Sequence, residues 1–329
     1  MSRTVRITQL LLINSIRNSM IHLIDLFSGI GGVSAGAAAA GWHVMLSVDC
    51  WEEAQRIHEQ VFPNARHMNL MLGDDDSTRL LKSTIDDLLQ LHVKEGDSLH
   101  IHASPPCQAL SRINRHTSSD REGMRLVEWA YTIITSYKPT LPFDVEVTWT
   151  IEQVIHPTLL RFFDELGVSY ICIDAKQAGV PQSRKRFFAS NACLKNIEKL
   201  DLTNTLSPLY ETLSPHNILC PNTRYLCGAN MTKQRILDGQ RAIRDIHEAK
   251  YSHTVTSSSL QMLDENLQPQ GLVPLKALCI LQTLPLQYIP LLLDLKGVST
   301  KKKTMLVANC VPSTLFQCIA DAIQQSKQS

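Results

Sequence analysis

The stretch from Ile21 to Ala40 constrains the fold more than any other. Ile21 to Phe27 reads I-H-L-I-D-L-F, an apolar run of buried-strand length, and Ser28 to Gly36 reads S-G-I-G-G-V-S-A-G and leads into four alanines. A strand that turns through glycine into a helix of small residues is the opening unit of an α/β protein. Gly29, Gly31 and Gly32 let the backbone reverse tightly and expose N–H groups at the helix N-terminus, where a ligand can approach. The loop is not a dinucleotide fingerprint, because Ser34 stands where G-x-G-x-x-G needs its last glycine. The next strand, Trp42 to Val48, ends at Asp49. That carboxylate can take the two hydroxyls of a ribose, or it can cap a helix over Trp51 to Gln60.

A second strand with an unusual ending follows. Ser98 to Ala103 alternates Leu99, Ile101 and Ala103 with His100 and His102, then meets Pro105, Pro106 and Cys107. A stiff Pro-Pro corner after a strand delivers the next side chain to the carboxyl edge of a parallel sheet, where open α/β folds place ligands. Cys107 is therefore either a nucleophile or a buried structural thiol. Ser111 to Gly123 is polar and carries Arg112, Arg115 and Arg121, in the manner of a loop that closes over a site. Val145 to Val154 alternates as a strand and carries Glu152 near its tip. Beyond Tyr170 to Ile173, a tight turn leads to Arg184, Lys185 and Arg186, whose two arginines share a face. Helices are expected over Ser77 to Leu91, where Asp74, Asp75 and Asp76 can cap and complement the dipole, and over Leu126 to Tyr137, ended by Pro139.

The formal charge of +1 leaves no global footprint for nucleic acid, so such contacts must come from local clusters. One cluster lies between Arg224 and Lys250, with six Lys or Arg against three acids. A solvated helix explains it equally well. The nine cysteines form no C-x-x-C pair, which fits a reduced intracellular protein, and His216, Cys220 and Cys227 lack the paired spacing of a zinc site. No metal is expected. Residues 1 to 20 form a short helix or arm, and the apolar run Leu10 to Ile13 is too short for a signal peptide or membrane span, so a cytoplasmic chain is expected. Toward the C-terminus, His253 to Thr256 and Leu272 to Leu275 suggest strands and Lys276 to Leu284 a helix. Lys301 to Lys303 suggest a basic turn, and the sequence from Met305 a strand, a turn and a closing helix.

Six pieces in fixed order now identify a resemblance. D-L-F-S-G-I-G-G at 25–32, S-P-P-C-Q at 104–108, I-E-Q-V at 151–154, G-V-P-Q-S-R-K-R at 179–186, L-Q-T-L-P at 281–285 and A-N-C-V-P at 308–312 resemble the motifs of the cytosine-C5 DNA methyltransferases. The match spans nearly the whole chain. It implies a Rossmann-like, S-adenosylmethionine-dependent α/β catalytic domain with a parallel-rich sheet, formed by residues 1–190 plus 300–329. A second, smaller target-recognition domain occupies 191–299, with its core at 191–270.

The resemblance also implies roles. Cys107 adds to C6 of a cytosine flipped out of duplex DNA, Glu152 holds N3, and Arg184 and Arg186 favour the thiolate and lie near the target phosphate. Gln108 and Ser111 contact the DNA. Phe27, Gly29, Gly32, Asp49, Asp74, Pro106, Asn309 and Val311 form the S-adenosylmethionine site, with S-adenosylhomocysteine as product. Asn69 rivals Asp74 for the adenine amino group, and Asn309 can instead brace the turn before the last helix. The sequence departs from the family in three places: Gln153 stands for the usual asparagine and is one methylene longer, Ala308 for a glycine, and Cys50 for an apolar or aromatic residue. The implied setting is bacterial or viral: a monomer in restriction-modification, with a separately acting cognate endonuclease, or an orphan modifier. The rivals are a tRNA cytosine-C5 methyltransferase, whose C-F-T signature is absent, and a catalytically silent DNA-binding homologue.

Overall fold

A computed structural model describes residues 19–106, 120–228 and 243–327. Its centre is a seven-stranded sheet of β1 (Ile21–Leu26), β2 (His43–Asp49), β3 (Arg66–Asn69), β4 (Ser98–Ala103), β5 (Glu146–Gln153), β6 (Tyr170–Asp174) and β7 (Lys185–Ser190), in the spatial order β3-β2-β1-β4-β5-β7-β6. The first five strands run parallel, and β7 is antiparallel to both its neighbours. The chain leaves β1 toward β2 on one side and later returns to β4 on the other, so the order reverses between β1 and β4. A crevice opens at such a switch point, outside the carboxyl ends of the strands. The glycine turn and the Pro-Pro corner both lie there.

Both faces of the sheet are covered, which is why β1 and β4 are buried along their whole length. On one face Ile24, Leu26, Leu99 and Ile101 pack with residues of α3 (Asp75–His92), α4 (Asp120–Ser136) and α5 (Pro157–Glu165). The other face sets Leu23, Val44 and Phe188 against α1 (Gly32–Ala39) and α9 (Ser313–Ser326). The helix after β2, α2 (Glu52–Val61), joins a third cluster with α6 (Leu275–Leu281), α7 (Tyr288–Leu293) and α8 (Thr300–Asn309). That cluster also holds the inner face of a four-stranded antiparallel sheet of β8 (Tyr225–Gly228), β9 (Arg244–Asp245), β10 (Leu260–Leu263) and β11 (Pro269–Leu272).

Several expectations for the second half need correction. The Lys301 to Ala308 segment is helix α8, not a basic turn and a strand: Ser299 caps it by accepting from the Lys302 N–H, and Thr304, Leu306, Val307 and Ala308 are buried. An apolar run this short carries no period of its own, and the cap decides it. His253 to Thr256 form no strand, although the preceding Ser252 makes a single bridge with Gln182; the strands lie at β10 and β11, so that of the expected strand Leu272 to Leu275 only Leu272 is in one and Leu275 begins α6. In the basic stretch, Arg224 pairs with Asp245 at 2.6 Å. Residues 229–242 of that stretch, and residues 1–18 of the N-terminal stretch expected to form a short helix or arm, lie outside the described residues. Residues 300–326 are long and apolar enough to cross a membrane, but 72% of the apolar 18-residue stretch within them is buried inside the protein. It is also two core helices separated at Cys310 to Pro312.

Histidines are buried at positions that usually carry apolar residues: His58 of α2 and His100 and His102 of β4 are fully enclosed. Burial holds His58 and His102 at about 3 and His100 well below its ordinary value. Each is neutral when folded and takes a proton on unfolding below about pH 6.5. Stability from this source is therefore complete above that pH and lost as pH falls. Asp25, raised by burial to about 7, works in the opposite direction as a single proton. Between pH 6 and pH 5 about two net protons remain, so urea titrations should show stability falling by about 2–3 kcal/mol per pH unit. A flat profile in that window would contradict the neutral buried histidines.

Candidate active site

The site starts at the end of β1, where the chain enters the left-handed region three times: Phe27 at φ +58°, Gly29 at +55° and Gly31 at +94°. Phe27 holds this conformation at a cost of about 1–2 kcal/mol, which the surroundings must offset. The Ser28 N–H donates to the Val48 carbonyl at 3.1 Å, and the Phe27 ring meets Trp129 edge-on at 6.1 Å. Asp49 then ties the turn to β2: one carboxylate oxygen accepts from the Gly29 N–H and the other from the Trp51 N–H, each at 2.8 Å. The residue capping α2 is Trp51, so Asp49 braces the loop between strand and helix instead of capping the helix. Burial raises the Asp49 pKa above the ordinary aspartate value, and the two backbone donors oppose that rise.

The glycines differ in what they face. A Cβ on Gly32 would lie 2.2 Å from the Val311 carbonyl, and one on Gly31 would lie 2.7 Å from the His58 ring. Nothing lies within 4 Å of the Cβ position of Gly29. Gly31 and Gly32 are therefore packing positions, and Gly29 is the one that opens onto the crevice. Beneath the turn runs a buried chain of hydrogen bonds. Ser34 donates to Asp25 at 2.7 Å, the His58 Nε2 lies 3.0 Å from the Ser34 hydroxyl, and the His58 Nδ1 lies 2.8 Å from the His67 Nε2. Tyr288 closes the seat by donating its hydroxyl to the Gly31 carbonyl at 3.0 Å.

The Pro-Pro corner is held on both sides. The Ser104 N–H donates to the Leu26 carbonyl at 3.2 Å, extending the β1–β4 pairing past the strand. Gln153 donates its side-chain N–H to the Pro105 carbonyl at 3.0 Å and accepts from the Val154 N–H at 2.7 Å. The longer side chain thus reaches the corner and bends back on its own backbone. Pro106 is exposed at the end of the described segment, and Cys107, Gln108 and Ser111 lie outside the described residues.

Glu152, at the tip of β5, pairs with Arg186 of β7: Nε to Oε1 is 2.8 Å, with side-chain exposures of 10% and 11%. The pair is desolvated, and removing one partner would strand the other's charge. Arg184 is placed differently from its neighbour two residues on. It is buried, and it donates to the Val255 carbonyl at 3.1 Å and to the Ala308 carbonyl at 2.8 Å.

Two residues that sequence reasoning missed complete this arrangement. Gln182 and Gln282, both fully buried, face each other with the Gln182 N–H donating to the Gln282 carbonyl oxygen at 2.7 Å. Gln182 also donates to the Leu281 carbonyl at 2.8 Å and accepts from the Val255 N–H at 3.0 Å, and Gln282 donates to the Val307 carbonyl at 2.8 Å. Their only signal was their place inside the motifs at 179–186 and 281–285.

Among the other expected residues, Asp74 caps α3, its carboxylate accepting from the Ser77 N–H at 2.7 Å, and that bond lowers its pKa. Asn69, its rival, ends β3, and both are exposed. Asn309 is exposed at the end of α8, and Val311 is buried with its carbonyl against Gly32. Among the described residues, no group of three or more His, Cys, Asp or Glu is placed to hold a metal.

The crevice thus gathers a glycine turn, a strand-end carboxylate, a Pro-Pro corner leading into the cysteine and a Glu–Arg pair. The sequence family described as C-5 cytosine-specific DNA methylase matches residues 21–278. The chain belongs to this family. Among relatives, it is 28% identical over 167 residues to the type II methyltransferase M.HgiDI of Herpetosiphon aurantiacus and 26% identical over 167 residues to M.HindV of Haemophilus influenzae. Each alignment covers 50% of this chain and 50% of the relative, so the chain spans about half the length of the curated relatives it matches. In structure it is similar to the S. pombe Dnmt2 methyltransferase, with a TM-score of 0.59 at 14% identity, over 94% of this chain and 100% of that one. At that identity the likeness establishes the methyltransferase fold.

Replacing Gln182 with alanine would leave the Leu281 carbonyl and the Val255 N–H without their partner. A loss of about 2–4 kcal/mol is expected, measured by urea denaturation. Gln153→Ala, which leaves the buried Pro105 carbonyl and the Val154 N–H without this partner, should cost about 1–3 kcal/mol by the same measurement.

Proposed function

We propose that this chain is a DNA (cytosine-5-)-methyltransferase that transfers a methyl group from S-adenosylmethionine to C5 of a flipped cytosine, within a specific duplex sequence, through a covalent Cys107 adduct. The observation that carries the reading is the buried Glu152–Arg186 pair at the mouth of the crevice, beside the corner that leads into Cys107. Cytosine C5 is a weak nucleophile, and activating it needs a nucleophile at C6 together with a carboxyl group at N3. Glu152 supplies that carboxyl on a rigid strand, with Arg186 fixing its orientation. Cys107 adds to C6 as a thiolate and leaves when the C5 proton is removed, so the aromatic ring returns and the enzyme is unchanged. A stacked base is out of reach for this attack, so the target must leave the duplex, with Gln108 and Ser111 contacting the opened DNA.

The methyl donor fits the crevice. Gly29 offers open space, and each Asp49 oxygen keeps a lone pair beyond its one backbone bond, suited to ribose hydroxyls. Phe27 faces the adenine, Gly32 and Val311 form the wall behind the methionine portion, and Asp74, Pro106 and Asn309 complete the rim. S-adenosylmethionine supplies an electrophilic methyl on a sulfonium, leaving S-adenosylhomocysteine. Arg184 serves from behind, holding the Ala308 carbonyl at the start of the segment that backs this wall. The small sheet and its connections, within 191–299, read the target sequence. The type II methyltransferase relatives support a place in restriction-modification; within this reading the chain acts as a cytoplasmic monomer, with a cognate endonuclease acting separately.

Tritiated methyl transfer tests the reading: duplex DNA should accept label and tRNA should not, and bisulfite sequencing of host DNA should reveal one short methylated sequence. Cys107→Ser should lower kcat on the order of 10³-fold or more, and Glu152→Gln about 10²-fold. Transfer to tRNA alone, or a Cys107→Ser variant as fast as wild type, would overturn it.

A further inference from the structure

One largely buried feature has no part in the chemistry above. On the α9 side of the sheet, four side chains of β4 and β5 and one beyond them form an unbroken ladder. The Thr148 hydroxyl lies 2.8 Å from the His100 Nδ1, and the His100 Nε2 lies 2.9 Å from the Thr150 hydroxyl. That same hydroxyl lies 2.7 Å from the His102 Nδ1, and the His102 Nε2 lies 2.7 Å from the Ser104 hydroxyl. His100, His102 and Thr150 have no exposed surface and Thr148 almost none, with Trp42 and Phe316 packed on the rings. Ser104 alone is half-buried, and it begins the Pro-Pro corner.

Two arrangements use every buried hydrogen. Each link holds one, and if Thr150 accepted from both histidines its own buried hydroxyl proton would have no acceptor within the ladder, so the ladder runs either from Thr148 to Ser104 or from Ser104 to Thr148. In the first, both histidines carry their proton on Nε2, and the Ser104 hydroxyl is free to donate into the crevice. In the second, both carry it on Nδ1, Ser104 donates into the ladder, and Thr148 makes an added long bond to the Leu99 carbonyl at 3.4 Å. A cation inside this apolar surround is strongly disfavoured, so the ladder does not store a proton. Its use is directional: it fixes the rotamer of Ser104 and the sense of its hydroxyl.

We propose that Thr150, His102 and Ser104 are positioning residues that align the corner delivering Cys107, with the free protein holding both histidines as Nδ1–H tautomers. The inference deepens the methyltransferase reading and rests on it for its kinetic consequence.

Two experiments test it. Long-range proton–nitrogen NMR of the ¹⁵N-histidine protein should find His100 and His102 in the same tautomer, both Nδ1–H without ligand; opposite tautomers, or a shared Nε2–H, would overturn the ladder as described. In methyl transfer to duplex DNA, Thr150→Val should lower kcat on the order of 10- to 100-fold, with KM for DNA and for S-adenosylmethionine changed by less than about threefold. Thr150→Ser, which keeps the hydroxyl, should restore kcat to within about threefold of wild type. Thermal melting confirms that each variant is folded at the assay temperature. A folded Thr150→Val enzyme within twofold of wild type, or a Thr150→Ser enzyme as slow as Thr150→Val, would overturn the proposal. Wild type that methylates while the variants match it refutes the ladder alone; wild type that transfers nothing refutes the function, and the tautomers then decide the ladder.

Discussion

The buried pair of amides, Gln182 and Gln282, is the contact on which the rest of the site depends. An amide in an apolar interior is costly unless both its donor and its acceptor are used, and here every satisfied bond goes to a different stretch of chain. Gln182 grips the 281 carbonyl and the 255 N–H, and Gln282 grips the 307 carbonyl. Arg184 adds the carbonyls of 255 and 308. Three motifs far apart in sequence are thereby pinned to one another. The placement of the glycine turn follows, because the Val311 carbonyl that sits against Gly32 belongs to the segment these bonds hold. Gly32 can be no other residue while that carbonyl stays where it is.

The same logic explains why the sheet tolerates so many buried polar groups. The Asp25–Ser34–His58–His67 chain beneath the turn and the Thr–His ladder beneath the corner both lie on sheet faces that in most parallel sheets are aliphatic. Each is complete or nearly so; Asp25 keeps one oxygen without a hydrogen-bond partner, and burial accordingly raises its pKa to about 7. Satisfied networks of this kind add directionality, which apolar packing lacks. The consequence is sensitivity to pH, since neutral buried histidines hold the fold only while they stay neutral.

How much of this was legible in the sequence follows from which signals are local. The strand–turn–helix of 21–39, the strand before the Pro-Pro corner and the strand bearing Glu152 all announced themselves by period and punctuation. Motif order supplied the family. What the sequence hid was pairwise: nothing in Q-S-R or L-Q-T says that two glutamines sixty or more residues from most of their partners meet side chain to side chain. The helix at Thr300–Asn309 was hidden for another reason, since four apolar residues after three lysines carry no decisive period and a serine cap settles the matter. Asp49 was read through two alternatives, and its bonds to Gly29 and Trp51 describe a brace between the glycine turn and the start of α2.

Strand β5 shows how these pieces converge on the corner. Its two-residue period sends Thr148, Thr150 and Glu152 to one face and Trp149, Ile151 and Gln153 to the other. On the first face Thr150 backs His102 and so Ser104, and Glu152 meets Arg186 at the strand's end. On the second face Gln153 reaches the Pro105 carbonyl. The corner is therefore held from both sides of one strand by consecutive side-chain rows, with the carboxyl group in the same row as the ladder. A one-residue slip of β5 against β4 would exchange the rows and place Gln153 where Glu152 stands. The ladder, whose links form only in the observed register of His100 opposite Thr148 and His102 opposite Thr150, opposes that slip directly.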